Sequence, residues 1–406
     1  MSTDSTLAVQ GGTPALSNPL PAWPIHDSTD ADALVEVLNS GKWGSTAGTV
    51  VRTFEAEFAE TFSSAHAFAV SNGTLALAAA LSAGGIGTGD EVIVPPYTFI
   101  ATAAASLFVG AVPVFADVLP DNHLLDPKAV EAAITERTKA IIPVHLAGAV
   151  ADMDAFAEIG RRHDLLIIED CAQAIGAEWK GTPVGALAGI GTFSFQSSKN
   201  LTAGEGGMVV TNDDQLAIGL FSAINVGRVL GGGWYEHATV GYNLRLTEFQ
   251  GALLRVQLSR LADQQKVRDE NARLLTELLS GVEGVTVDTD PEGMTAHGRH
   301  LFMMRMDAVD GDSALRDKIV EALVAEGLPA SSGYVPLNQN EALLTAARKI
   351  TDRLGQPYPL NECPVGDQVS TDTVWLAQPA LLGATDQTHE VATAIAKVLG
   401  QLDQLR

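Results

Sequence analysis

Three groups of residues in this 406-residue chain have the types and spacing to do chemistry together. The first is Lys199, inside Gly191–Asn212 (GTFSFQSSKNLTAGEGGMVVTN), a stretch with almost no other charge. An amine held between apolar strands is partly desolvated, which lowers its pKa and suits it to Schiff-base chemistry. The second is Asp170 in Ile167–Ala177 (IIEDCAQAIGA), where an apolar run ends. Open α/β sheets bind ligands beyond the carboxyl ends of their strands, so an acid there either acts on a ligand or caps the strand. Gln173 joins its side if the chain begins a helical turn. The third is Ser71–Asn72–Gly73–Thr74, between a strand-like run and an Ala/Leu-rich run. Backbone N–H groups at a helix start, with two hydroxyls, cradle a phosphate; a plain N-cap is the alternative. The segment has no Walker lysine and no GxGxxG turn, which argues against ATP and dinucleotides.

Joined to the aromatics of Val94–Ala103 (VPPYTFIATA), these groups form the set that pyridoxal phosphate requires. An acid keeps a pyridine nitrogen protonated, a lysine holds an aldehyde, a small cradle grips one phosphate and a ring stacks on the cofactor. Gly84–Gly89 (GGIGTG) follows a helix instead of opening one and reads as a loop.

The elements that must position these residues alternate. The spacing predicts helices at Phe54–Phe62, Thr74–Ala83, Thr102–Phe108 and Pro127–Ile134. Short apolar strands fall at Ala67–Val70, Glu91–Val94, Val112–Phe115, Ala140–Val144, Leu165–Glu169, Thr192–Phe195 and Met208–Thr211. Such alternation predicts an α/β fold with a mostly parallel central sheet covered by helices. At Thr247, a capping box with Gln250 opens a long helix ending near Ser280. A strand at Leu301–Met306 and helices at Ser313–Glu326 and Thr385–Leu399 then suggest a smaller C-terminal α+β domain. The expected division is an N-terminal arm and large cofactor-binding domain over residues 1–250, and the long helix with the small domain over 251–406.

Whole-chain properties narrow the function. The formal net charge of −24 argues against nucleic acid and anionic membrane as partners. Two cysteines, Cys171 and Cys363, exclude a disulfide framework. The uncharged stretch Val92–Ala116 is broken by Pro95, Pro96, Gly110 and Pro113 and reads as strand, helix and strand, not as a membrane span. The opening MSTDSTLAVQGG has no basic region and no apolar core of a signal peptide, so a cytoplasmic protein is expected.

SNGT, PPYTF, EDCAQAIGA, FSFQSSKNLTAGEGG and GYNLRLTEFQGALL occur in that order, and with them the chain resembles the DegT/DnrJ/EryC1/StrS aminotransferases. These are fold-type I enzymes that aminate keto-sugars and ketocyclitols, and the resemblance runs from about Trp23 to the C-terminus. It implies that Lys199 is the Schiff-base lysine and base, that Asp170 pairs with the pyridinium nitrogen and that Gln173 approaches the ring 3-hydroxyl. Phe99 would stack on the ring, with Tyr97 the alternative. Gly73, Thr74 and Ser194 would bind phosphate. Asn243 would reach the phosphate from a neighbouring subunit, which implies a homodimer with shared sites. Glutamine or glutamate would donate the amino group. The opening PAWP (Pro21–Pro24), with SGKW before Gly44, leans towards a cyclitol over a nucleotide-linked keto-sugar.

Other readings compete. A sugar dehydratase of this kind replaces the lysine by histidine, a non-catalytic regulator needs no full cofactor set, and a NAD oxidoreductase needs a dinucleotide fingerprint. Gly227–Ala238 (GRVLGGGWYEHA) either shapes the substrate pocket at the dimer interface or is a plain loop. His145 lies near the site or is simply packed. Arg228 and Arg245 are the basic residues best placed to meet an anion.

Overall fold

Seven strands form one sheet in the order His66–Val70, Gly207–Thr211, Ile190–Ser194, Leu166–Asp170, Thr138–Ile141, Glu91–Val94 and Val112–Phe115. The computed structural model describes residues 6–406, so the first five residues of the MSTDSTLAVQGG opening lie outside the described residues. Gly207–Thr211 alone runs antiparallel, pairing with His66–Val70 and with Ile190–Ser194. The remaining neighbours pair in parallel.

Both faces of this sheet are covered, which explains its near-continuous apolar strands. Successive residues alternate between two cores. Ile93 and Val114 pack with Phe54, Phe58 and Phe193, whereas Val92, Val94 and Phe115 pack with Leu77 and Leu81. The stretch Val92–Ala116 resolves into strand, helix Ala101–Phe108 and strand, and no helix among the described residues is long and apolar enough to cross a membrane. Gly84–Gly89 is a loop, and both cysteines are free and buried.

The capping box at Thr247 forms, with Thr247 N–H donating to Gln250 Oε1 at 3.2 Å. It opens a helix over Glu248–Leu279. Beyond it a four-stranded antiparallel sheet orders Val285–Val287, Leu301–Met306, Thr373–Ala377 and Ala330–Ser331 over a separate core that includes Leu275, Ile319 and Ile395. The N-terminal segment lies along its own chain. Leu7 is buried in that separate core, and Glu326 accepts from the backbone N–H groups of Ala8 and Ala15 at 2.9 and 2.8 Å. The PAWP motif touches the lysine loop, where Trp23 Nε1–H donates to Ser197 O at 3.0 Å. Four helices extend the sequence reading: Met153–His163, Asp214–Ile224, Glu341–Arg353 and Pro364–Asp372.

Candidate active site

The strands Leu166–Asp170 and Ile190–Ser194 lie in parallel, with Asp170 opposite Thr192, and both deliver their carboxyl ends to one cavity of about 840 Å³. Lys199, Asp170, Gln173, Gly73, Thr74, Ser194 and Phe99 all line it, although they come from four separate stretches of chain.

Asp170 is buried. One carboxylate oxygen accepts from Thr102 Oγ1 at 2.9 Å and the other from Ala172 N–H at 3.1 Å. Burial pushes its pKa above the ordinary carboxylate value, opposed by the hydrogen bond from Thr102, that from Ala172 N–H and the charge of Lys199. Lys199 is half-buried, and desolvation lowers its amine to about 8, with Asp170 opposing the shift.

Gln173 turns to the same side as Asp170 because the chain makes a turn there, with Ala174 N–H donating to Cys171 O at 2.9 Å. Its Oε1 accepts from Ala147 N–H at 2.7 Å and its Nε2 donates to Tyr334 Oη at 2.7 Å. Phe99 is 56% exposed at the cavity wall, 6.5 Å from the Tyr334 ring. Tyr97 is fully buried, its ring 5.7 Å from that of Tyr334, and it does not line the cavity.

The cradle is built by close backbone approach. Asn72 caps the helix Gly73–Ala83, its Oδ1 accepting from Leu75 N–H at 2.9 Å. A Cβ on Gly73 would meet Ser194 Cβ at 2.7 Å. A Cβ on Gly207 would meet the Asn72 carbonyl carbon at 2.6 Å, because Gly207 pairs with both Val70 and Ser194. The GEGG glycines therefore bring the strand Gly207–Thr211 against the cradle, and Gly204 adopts a φ of 81° that a side chain would resist.

Asn243 is not brought to this cavity. It is exposed, in a segment bridged to Asn225. Arg245 bridges to Val70, and its guanidinium pKa is lowered by burial and by the charge of Arg228. Neither arginine lines the cavity. Gly227–Ala238 folds back on itself through an Arg228–His237 bridge and leaves Trp234 and Tyr235 exposed. His145 is packed: its Nε2 lies 3.1 Å from Glu169 Oε2 and its Nδ1 accepts from Ala151 N–H at 3.2 Å.

The cavity also holds residues the sequence did not single out: Thr102, Glu205, His300, Tyr334 and Trp375. Thr102 was within reach, since it stands in the quoted VPPYTFIATA. His300, Tyr334 and Trp375 come from beyond the long helix, and no local motif marks them.

Residues 24–396 match the DegT/DnrJ/EryC1/StrS aminotransferase family. The chain is 40% identical over 385 residues to the 3-amino-5-hydroxybenzoate synthase of Amycolatopsis mediterranei, covering 94% of this chain and 97% of that protein. It is 41% identical over 415 residues to the L-glutamine:2-deoxy-scyllo-inosose aminotransferase of Streptomyces lividus, covering 97% of each. The crystal structure of 3-amino-5-hydroxybenzoic acid synthase superposes with a TM-score of 0.87 at 39% identity, covering 94% of this chain and 99% of that one. The fold is that of the fold-type I aminotransferases. A lysine and an acid converging beside a glycine cradle, in a chain matched along nearly its whole length, make this protein a member of the DegT/DnrJ/EryC1/StrS aminotransferase family.

Proposed function

We propose that this aminotransferase uses pyridoxal phosphate to move an amino group from glutamine or glutamate to a cyclic polyhydroxy ketone, a ketocyclitol. The observation that supports it best is the convergence of Lys199 and Asp170 on one cavity beside the Gly73 cradle. The residues suit the cofactor. Asp170 is a buried carboxylate with raised pKa and, among the described residues, no hydrogen-bonded cation, so it would suit a protonated pyridine nitrogen as its partner. Gly73, Thr74 and Ser194 would hold the phosphate, Phe99 would lie on the ring and Gln173 would face its hydroxyl.

When bound, the cofactor supplies an aldehyde and an electron-accepting ring. The chain supplies the rest. With its amine lowered to about 8, Lys199 is unprotonated in roughly a tenth of molecules at pH 7, against a negligible fraction for an ordinary lysine, and can take and return a proton at Nζ. Burial raises the Asp170 pKa, and a cation facing it would favour the ionised form, so its protonation is coupled to cofactor binding. Tyr334 and Ala147 pin the Gln173 amide from both ends.

The ketocyclitol reading draws on the names of the relatives and on the Trp23 contact with the lysine loop. A nucleotide-linked keto-sugar is the alternative. We further propose a cytoplasmic homodimer in which Asn243 reaches the partner's phosphate cradle and Gly227–Ala238 borders the partner's cavity. The proposed division is an arm and large cofactor-binding domain over residues 1–250, followed by the helix and small domain over 251–406. Half-reactions with glutamine and glutamate, followed by turnover of scyllo-inosose against a nucleotide-linked keto-sugar, test the function. Turnover of the cyclitol is expected. Protein without a near-visible cofactor band, or turnover of the nucleotide sugar alone, overturns the reading.

A further inference from the structure

We infer that His300 positions the Lys199 amine by accepting one of its hydrogens at Nε2, an inference that rests on Lys199 being the Schiff-base lysine. Asn200 fixes the state of the imidazole. Its Nδ2 donates to Gly298 O at 2.7 Å and to Arg299 O at 3.3 Å. Both partners are carbonyls, so the amide nitrogen is identified and Oδ1 is the atom that faces His300. Oδ1 lies 3.2 Å from His300 Nδ1. An amide oxygen only accepts, so the imidazole carries its proton on Nδ1. Nε2 is left with a lone pair, and it faces Lys199 Nζ at 3.4 Å.

His300 stays neutral. It is buried, and burial together with the charges of Lys199 and Arg268 pushes its pKa well below the usual histidine value. Lys199 in turn faces Asp170, and Glu205 stands on the cavity wall. Arg268 is itself fully buried, with Gln378 and Gln264 as its side-chain partners and the Trp23 ring 5.1 Å away. An amine that gives one hydrogen to a fixed acceptor no longer rotates freely. Its lone pair is held away from the imidazole, towards the cavity that Asp170 shares.

The histidine is well braced for this. Gly298 N–H donates to Gly148 O at 2.8 Å and His300 N–H to Ala147 O at 2.9 Å. Ala147 also donates to Gln173 Oε1, so one residue anchors the backbone of His300 and the side chain of Gln173. His300 acts through Lys199 and is a positioning residue.

The test compares wild type, His300→Phe and His300→Gln as full chains. In cofactor-free protein, the pH midpoint for acylation of Lys199 is followed by peptide mass spectrometry. A neutral acceptor stabilises the ammonium more than the amine, so His300→Phe should lower the midpoint by about one pH unit. His300→Gln, whose amide oxygen restores an acceptor, should return it towards the wild-type value. In loaded enzyme, kcat should fall roughly tenfold in the Phe variant with little change in KM for the donor, and recover in the Gln variant. In wild type, 15N spectra should show the Nδ1–H tautomer at His300, a measurement that needs no folded Phe variant. A midpoint unmoved in both variants, or an Nε2–H tautomer, overturns the inference. Wild-type protein lacking both the near-visible band and amino transfer would instead sink the proposed function.

Discussion

Gln173 and Tyr334 meet across the cavity in a 2.7 Å hydrogen bond, joining the turn after Asp170 to the segment that follows Ala330–Ser331 of the second sheet. The contact makes the site a joint product of both halves of the chain. Tyr334→Phe leaves the Gln173 amide unpaired on that side, which costs about 1–3 kcal/mol for a buried donor. A loss of roughly tenfold in kcat/KM is expected, with the fold retained. Steady-state kinetics beside a thermal melt check it; an unchanged kcat/KM means that Gln173 needs no such anchor.

Lys199→Ala removes the only amine that lines the cavity among the described residues. Amino transfer should fall by at least about a thousandfold, since positioned acid–base catalysis alone is worth about 10²–10⁴. The covalent cofactor band should vanish. Normal turnover in this variant contradicts the mechanism.

The lowered Lys199 pKa makes a claim about pH. In cofactor-free protein the reactive neutral amine should appear with a midpoint near 8 instead of near the ordinary lysine value of 10.5. Between those values the unfolded chain binds more protons than the folded one, so this residue's contribution to stability rises as pH rises. Acylation rates at Lys199 across pH 6–11 test it; a midpoint near 10.5 removes the case for desolvation.

Asp170→Asn separates stability from function. A carboxyl whose folded pKa is raised penalises folding above that pKa, and the penalty fades as pH falls. The cofactor-free Asn variant should therefore melt higher than cofactor-free wild type at neutral pH, yet lose amino transfer. Melts with and without added pyridoxal phosphate decide this; a lower melting point in the cofactor-free variant contradicts the account.

Gly207→Ala should damage the cradle more than Gly73→Ala. The new methyl on Gly207 meets backbone of Asn72 at 2.6 Å, whereas that on Gly73 meets the Ser194 side chain at 2.7 Å. Overpacking of this kind costs typically about 1–3 kcal/mol, and backbone yields less than a small side chain. Titration with cofactor should give weaker binding in both variants, weakest for Gly207→Ala. Equal and unweakened affinity would show that the close approach is not needed.

Much of this protein is legible without coordinates. The strands Glu91–Val94 and Val112–Phe115 and the helix Thr385–Leu399 fall where periodicity places them, because each alternation or run is bounded by Gly, Pro or a cap. Lys199, Asp170, Gln173 and the Ser71–Thr74 stretch are marked by local chemistry: a lone charge in an apolar segment, an acid at a strand end, hydroxyls and glycine before a helix. The helix Asp214–Ile224 went unread because its sequence, DQLAIGLFSAI, is apolar on most sides, so little polar face marks its period.

What only tertiary structure decides is which distant residues share a space. Parallel register sets Asp170 beside Thr192, and the antiparallel strand Gly207–Thr211 presses Gly207 onto Asn72. Phe99 is exposed and Tyr97 fully buried, a difference that no local pattern records. His300 and Tyr334 stand more than a hundred residues after Lys199, in segments with no motif of their own. A sequence specifies a side chain's chemistry at once, but its neighbours are fixed only when the two sheets close on one cavity.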